Sequence, residues 1–261
     1  MNTDLITYQG KPELKSAFLA EIGKHEAADA IIKGTYGTMN SHFRGCAIGC
    51  SLYSLGVVNG KTPEQAATRT GEHARIPKGL GWPLWIAYAE DNIFEALPDN
   101  LAKTWPRRLA EAIPVGVTVP DLVLAKLLRW ILLDARFGVV NCAEAEDARA
   151  AVAAMGALFD RTIDGETVPE SEWGEAARDA WAAWDARDAR AARDARAARD
   201  AWAARAAWGA RAARGARAAR DARAARDAWD ARATWDAETR DAFYPALSEE
   251  LLRLLRELEP A

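Results

Sequence analysis

The sequence predicts an all-α protein, and three observations carry that prediction. Apolar residues recur at three- and four-residue intervals through most of the first 167 positions, the period of an amphipathic helix. Alternating apolar and polar runs of the kind that build strands are nearly absent. From Arg178 to Trp235 every third residue is arginine or tryptophan, fourteen Arg and six Trp, and no proline occurs between Pro169 and Pro245. Alanine precedes all but one of these residues, and alanine and arginine are among the strongest helix formers.

The first helix starts at Pro12, gathers Leu14, Phe18, Leu19 and Ile22 on one face, and is expected to run through HEAADAII to Lys33. GTYGTMNSHFRG reads as a loop. CAIGCSLYSL suits a buried helix whose small residues admit a close neighbour, and Pro63 opens another helix expected to end near His73. WPLWIAYAEDNIFEAL puts apolar residues on one side and Glu90, Asp91 and Glu95 on the other, until Pro98 stops it. In NLAKTWPRRLAEAI, Pro106 marks either a first turn or a kink. Thr118 precedes VPDLVLAKLLRWILLDARF, which is apolar nearly all round and is expected at the centre of the core. NCAEAEDARAAVAAMGALFDRTI gives one more helix, and DGETVPESEW links it to the repeat. Ser248 is expected to cap a terminal helix carrying Leu251, Leu252, Leu254, Leu255 and Leu258. So apolar a helix must dock, on the rest of the chain or on another subunit. The expected organisation is a compact helical head at 1–167, a repeat rod at 168–240 and a C-terminal amphipathic docking helix at 241–261.

Three residues turn an α-helix by 300°, so successive Arg and Trp positions circle the rod instead of forming a stripe. That excludes a heptad coiled coil, whose seam needs a 3.5-residue period. Gly209 and Gly215 mark the place for a bend or a hairpin. A straight rod, a hairpin and a non-α helix with three residues per turn are the forms considered. The block carries fourteen Arg against eight Asp, a net +6 within a chain of net charge −4. The Asp residues and the dispersal of Arg around the helix disfavour nucleic-acid binding, and the same geometry leaves no one-sided apolar face of the kind that a membrane surface needs. A scaffold or self-association element, or a surface for a protein target, fits the block better. The most apolar run, Val119–Leu133, contains Asp121, Lys126 and Arg129, so no membrane span is expected. MNTDLITYQG has no basic start and no apolar core, and three cysteines form a sparse, odd set, which together predict a cytoplasmic location.

Two constellations could hold a Zn-like divalent metal. His42, Cys46 and Cys50 are spaced four and four, with His73 or His25 as a further ligand, and thiolate with imidazole is a donor set that zinc takes. Against this, free cysteines are commonly small core residues. His25-Glu26-Ala27-Ala28-Asp29 sets His25 and Asp29 one helical turn apart with Glu26 as the general base, a variant of the HExxH arrangement. The bland account of these residues is a solvated helix face. Glu90, Asp91 and Glu95 could bind a divalent cation if buried, and are otherwise a solvated face as well. No phosphate-gripping glycine loop, nucleophile elbow or dinucleotide fingerprint occurs.

HEAADAIIKGTYG, GCAIGCSL and AYAEDNIFEALP, together with the Ala/Arg/Trp tail, resemble uncharacterised phage and prophage proteins that join a small helical head to an alanine-rich tail. The resemblance covers residues 20–115 and, in style, the tail. It implies a phage or bacterial cytosolic setting and no activity. The expected function is a non-enzymatic interaction or assembly protein. A metal-dependent hydrolase in the head is the alternative, and nucleic-acid binding through the repeat the second alternative.

Overall fold

The computed structural model of the chain describes residues 5–68, 70–143, 146–185 and 237–259, with side chains excepted at 142, 180–185 and 237–241. Of the triplet repeat over 178–235, residues 178–185 are helical, and the rest, including the glycines at its expected bend, lies outside the described residues. The described residues are mostly helical, with one two-stranded hairpin, in agreement with the all-α prediction. None of their helices is long and apolar enough to cross a membrane. Contacts divide the chain into two units, Met1–Val119 with Tyr244–Ala261, and Pro120–Phe243. The head limit expected at residue 167 falls inside the second unit.

In the first unit, α1 (Pro12–Ala27) starts on its proline but ends at Ala27, short of Lys33. Asp29 takes a left-handed backbone (φ 50°), which no helix continues through. The β-branched Ile31 and Ile32 then run extended beside Gly45: the Ile32 amide donates to the Gly45 carbonyl at 2.8 Å and the Gly45 amide to that of Ala30 at 3.0 Å. The expected loop contains the hairpin β1 (Thr38–Met39) and β2 (Phe43–Arg44).

The central element is α2 (Ala47–Val58), which packs against α1, α3 (Pro63–Ala66), α4 (Arg75–Leu80), α5 (Leu84–Ala96) and α7 (Trp105–Ala112). Its glycines allow this. A Cβ on Gly49 would lie 1.6 Å from the Tyr36 carbonyl oxygen, and one on Gly56 would lie 2.9 Å from the Ala66 Cβ. The helix opened by Pro63 is only one turn long, capped by Thr62 and Gln65 in a reciprocal box, so His73 sits in an irregular segment before α4. Pro98 does stop α5, α6 (Asp99–Ala102) follows, and Pro106 lies in the first turn of α7 without a kink. Tyr8, Phe18 and Trp82 meet edge to face in the core, and the Tyr8 hydroxyl donates to the Ala110 carbonyl at 2.5 Å.

In the second unit, α8 (Asp121–Leu133) packs on α9 (Glu146–Ile163), and α9 on α10 (Glu170–Asp185). Gly156 gives Leu133 room between the first pair. The last four residues of the expected linker, 170–173, already belong to α10: Trp173 is buried against Phe159, with ring centroids 4.9 Å apart.

The last helix, α11 (Ala237–Arg256), passes through Pro245 and Ser248 without a break. Ser248 is therefore not a cap. Its hydroxyl donates back to the Pro245 carbonyl at 2.7 Å. From Tyr244 onward α11 belongs to the first unit, where Leu247, Leu251, Leu252, Leu254 and Leu255 are buried and Glu249 pairs with Arg108 of α7. The docking expected of this leucine face takes place within the chain.

Candidate metal centre

Cys46 is the residue before α2, held extended because its amide donates to the Thr35 carbonyl at 2.8 Å. Its thiol faces α5, where Asp91 Oδ1 accepts at 3.7 Å. The other carboxylate oxygen of Asp91 lies 3.0 Å from His73 Nε2, and His73 Nδ1 lies 2.8 Å from the Gly71 carbonyl oxygen. Both ring nitrogens thus lie within hydrogen-bond distance of an oxygen atom. The imidazole is fixed further by stacking on Tyr88 (4.5 Å, 16°) and by the edge of Tyr36. One turn beyond Asp91, Glu95 accepts from the Gly34 amide at 3.3 Å. The Cys46 sulfur and one carboxylate oxygen each from Asp91 and Glu95 lie within 4.8 Å of one another.

The electrostatics of this cluster favour a cation. Cys46 and Asp91 are 1 % and 7 % exposed, while Glu95 reaches solvent. Burial, and then the charge of Asp91, push the Cys46 thiol well above its ordinary range. A nucleophilic thiolate needs the reverse, with a base on the sulfur, whereas here the carboxylate stands between the thiol and the imidazole. A divalent cation among the three donors would instead offset the charges and draw the proton from sulfur.

Sequence reasoning selects Cys46 and His73 and assigns their partners differently. Cys50, one turn along α2, directs its sulfur at the Gly45 and Ala30 carbonyls (3.4 and 3.9 Å), and burial raises its thiol too. It behaves as the small core residue of the alternative account. His42 is exposed in the hairpin turn, 3.1 Å from the Ser41 hydroxyl. The three residues of the HExxH-like set find separate partners. Glu26 is held by Arg107 at 2.6 Å, Asp29 lies past the end of α1 and pairs with Lys103 at 2.7 Å, and His25 is buried against the edges of Tyr53 and Phe43. The solvated face expected for the α5 acids is corrected for two of them, since Glu90 is fully buried and Asp91 nearly so. Burial pushes the Glu90 carboxyl up to about 8, partly offset by the Ser51 hydroxyl that donates to it.

His25 carries a pH prediction. Burial lowers it to about 4, with Glu21 opposing and Lys24 and His42 adding to the shift. The folded state therefore holds it neutral, the unfolded chain takes up its proton first as pH falls, and stability is lost between the ordinary 6.5 and about 4. His25→Phe keeps an aromatic ring against Tyr53 and should flatten the urea-unfolding profile over that window, by about 3 kcal/mol between its ends. Equal acid slopes in the two proteins would show that His25 does not control this loss.

No family model matches the chain, and neither a curated protein nor a solved structure is significantly similar to it.

Proposed function

We propose that the chain binds a divalent transition metal through Cys46, Asp91 and Glu95, with His73 orienting Asp91, and that the site serves metal-dependent hydrolytic chemistry. The observation that carries this is the convergence of one thiol and two carboxylates within 4.8 Å. Thiolate with carboxylate suits zinc among the common divalent ions. A tetrahedral zinc with ordinary bond lengths separates sulfur and oxygen ligands by about 3.5 Å, and the Cys46–Asp91 separation is 3.7 Å. His73 holds the far oxygen of Asp91 as outer partners of metal ligands do. Three protein ligands with the third at the surface leave a coordination position open, which is the catalytic pattern, whereas structural zinc takes four. The assembly reading rests on the repeat, which beyond residue 185 lies outside the described residues, and on the leucines of α11, which are covered within the first unit.

The test is metal content and Co²⁺ absorption of the full chain. Wild type should hold close to one zinc per chain and show a Co²⁺–thiolate charge-transfer band after exchange. Cys46→Ala should abolish the band, Cys50→Ala should keep it, and His73→Ala should weaken binding about 10–100-fold. Absence of stoichiometric metal from wild type, or equal loss in the two cysteine variants, would overturn the proposal.

A further inference from the structure

Residues 38–44 form a short arm on the first unit, consisting of β1, a turn and β2, with Gly37 before it and Gly45 after it. The chain on both sides is tied down. The Cys46 amide donates to the Thr35 carbonyl at 2.8 Å, and the Gly45 amide to that of Ala30 at 3.0 Å. The arm has less to hold it. Its ladder consists of Thr38 with Arg44 and Met39 with Phe43, and a two-stranded hairpin is marginal in water unless one of its faces is packed.

Phe43 supplies that packed face. Of the arm's residues it alone is buried, and its ring lies so close to Gly37 that a Cβ there would stand 2.3 Å from Cζ. The ring stacks on Tyr53 of α2 (4.5 Å, 16°) and meets His25 of α1 edge to face (5.9 Å, 74°). His25 meets Tyr53 in the same way at 5.1 Å, so the three rings close on one another. Arg44 adds an exposed contact with the Asp29 carbonyl oxygen at 3.4 Å.

A histidine in this closure makes it sensitive to acid, because an imidazolium needs water or a paired charge that two aromatic rings do not give. The titratable and charged groups around the ring are Glu21 and Lys24 on α1, His42 in the arm and Tyr53 on α2, with Glu64 of α3 acting on Tyr53. Burial disfavours the proton most, Glu21 opposes burial, and Lys24 and His42 add to it. Hydrating His25 from the side of α2 would take apart the central helix of the unit. Lifting the arm costs one buried side chain and a short ladder, so the arm is the element that yields first.

We propose that residues 38–44 are an acid-released arm, latched by the contact of His25 with Phe43. With the arm closed, His25 stays neutral down to about 4, and with the arm open it regains its ordinary 6.5. The open form therefore takes up the proton first, and the closed form loses its advantage as pH falls through that window. From pH 7 to pH 5 the open fraction rises by up to about twentyfold. Release uncovers Phe43 and Tyr53 together, an aromatic surface hidden at neutral pH, and it leaves the anchors at Thr35 and Ala30 in place. The proposal does not depend on a bound metal.

The experiment is hydrogen exchange of the full chain, read by mass spectrometry at pH 7 and pH 5 as protection factors, which remove the intrinsic effect of pH on exchange. In wild type the protection of the arm should fall about 5–20-fold, while α2 stays at least about 100-fold better protected than the arm at both pH values. His25→Phe keeps an aromatic ring in place and should hold the arm's protection constant within about twofold. Phe43→Ala removes the latch from the other side, and the arm should then exchange freely at both pH values. Constant protection in wild type, an equal fall in His25→Phe, wild-type protection in Phe43→Ala, or an arm as well protected as α2 would overturn the proposal.

Discussion

Replacing Leu251 with alanine is expected to lower the stability of the first unit by about 3–5 kcal/mol, and the double change at Leu251 and Leu255 to leave it largely unfolded. Both side chains have no exposed surface, and they lie one turn apart on the part of α11 that belongs to this unit. A buried leucine cut back to alanine loses its transfer free energy and leaves a cavity that neighbours fill only in part. Two such losses approach the whole stability of an ordinary domain, about 5–15 kcal/mol. The measurement is urea unfolding at several protein concentrations, with mass by light scattering. The expected result is a lower midpoint that does not depend on concentration. An unchanged midpoint with a lower mass would instead make the leucine face a subunit interface, and the assembly reading would gain the support it lacks.

The leucine face is legible in the sequence because five leucines at helical spacing have no other use. Its covering is not, because the segment that precedes it passes through the repeat. The same contrast runs through the candidate site. Helical periodicity gives α5 and its end at Pro98, but it assigns Glu90 and Asp91 to solvent because they are charged. Their spacing from Ala87 and Phe94 is a signal the other way, since Ala87, Glu90, Asp91 and Phe94 share one buried helical face. The stretch from Ala30 to Lys33, which leaves α1 and turns at Lys33 and Gly34, reads as helix for a related reason. Its conformation is imposed by Gly45 and Cys46, which are distant in sequence, and by the left-handed turn at Asp29. Cys46 and His73 can be chosen by side-chain chemistry alone. That they meet through Asp91, while Cys50 and His25 turn into the core, depends on the contact of α2 with α5.

That contact geometry makes Gly49 the most informative single position in the site. Intrinsic propensity favours Gly49→Ala, because alanine stabilises a helix interior by about 1 kcal/mol relative to glycine. Sterics oppose it more strongly. The added Cβ would lie 1.6 Å from the Tyr36 carbonyl oxygen and 2.7 Å from its carbon, and these are backbone atoms that no change of rotamer moves aside. Relief requires the chain around Tyr36 to leave α2, and with it goes the Thr35 carbonyl that fixes the Cys46 amide and the Gly34 amide that holds Glu95. The expected outcome is a net loss of at least about 2 kcal/mol, with weaker metal binding although no ligand is altered. Gly23→Ala is the matched control. Gly23 is also within a helix, α1, but a Cβ there meets nothing within 4 Å. The same chemical change should therefore stabilise the protein by about 0.5–1 kcal/mol and leave metal affinity alone. Urea unfolding and metal titration of the two variants separate the effects. If Gly49→Ala were as stable as Gly23→Ala, the segment at Tyr36 would not be seated on α2, and the positions of Cys46 and Glu95 would need another cause.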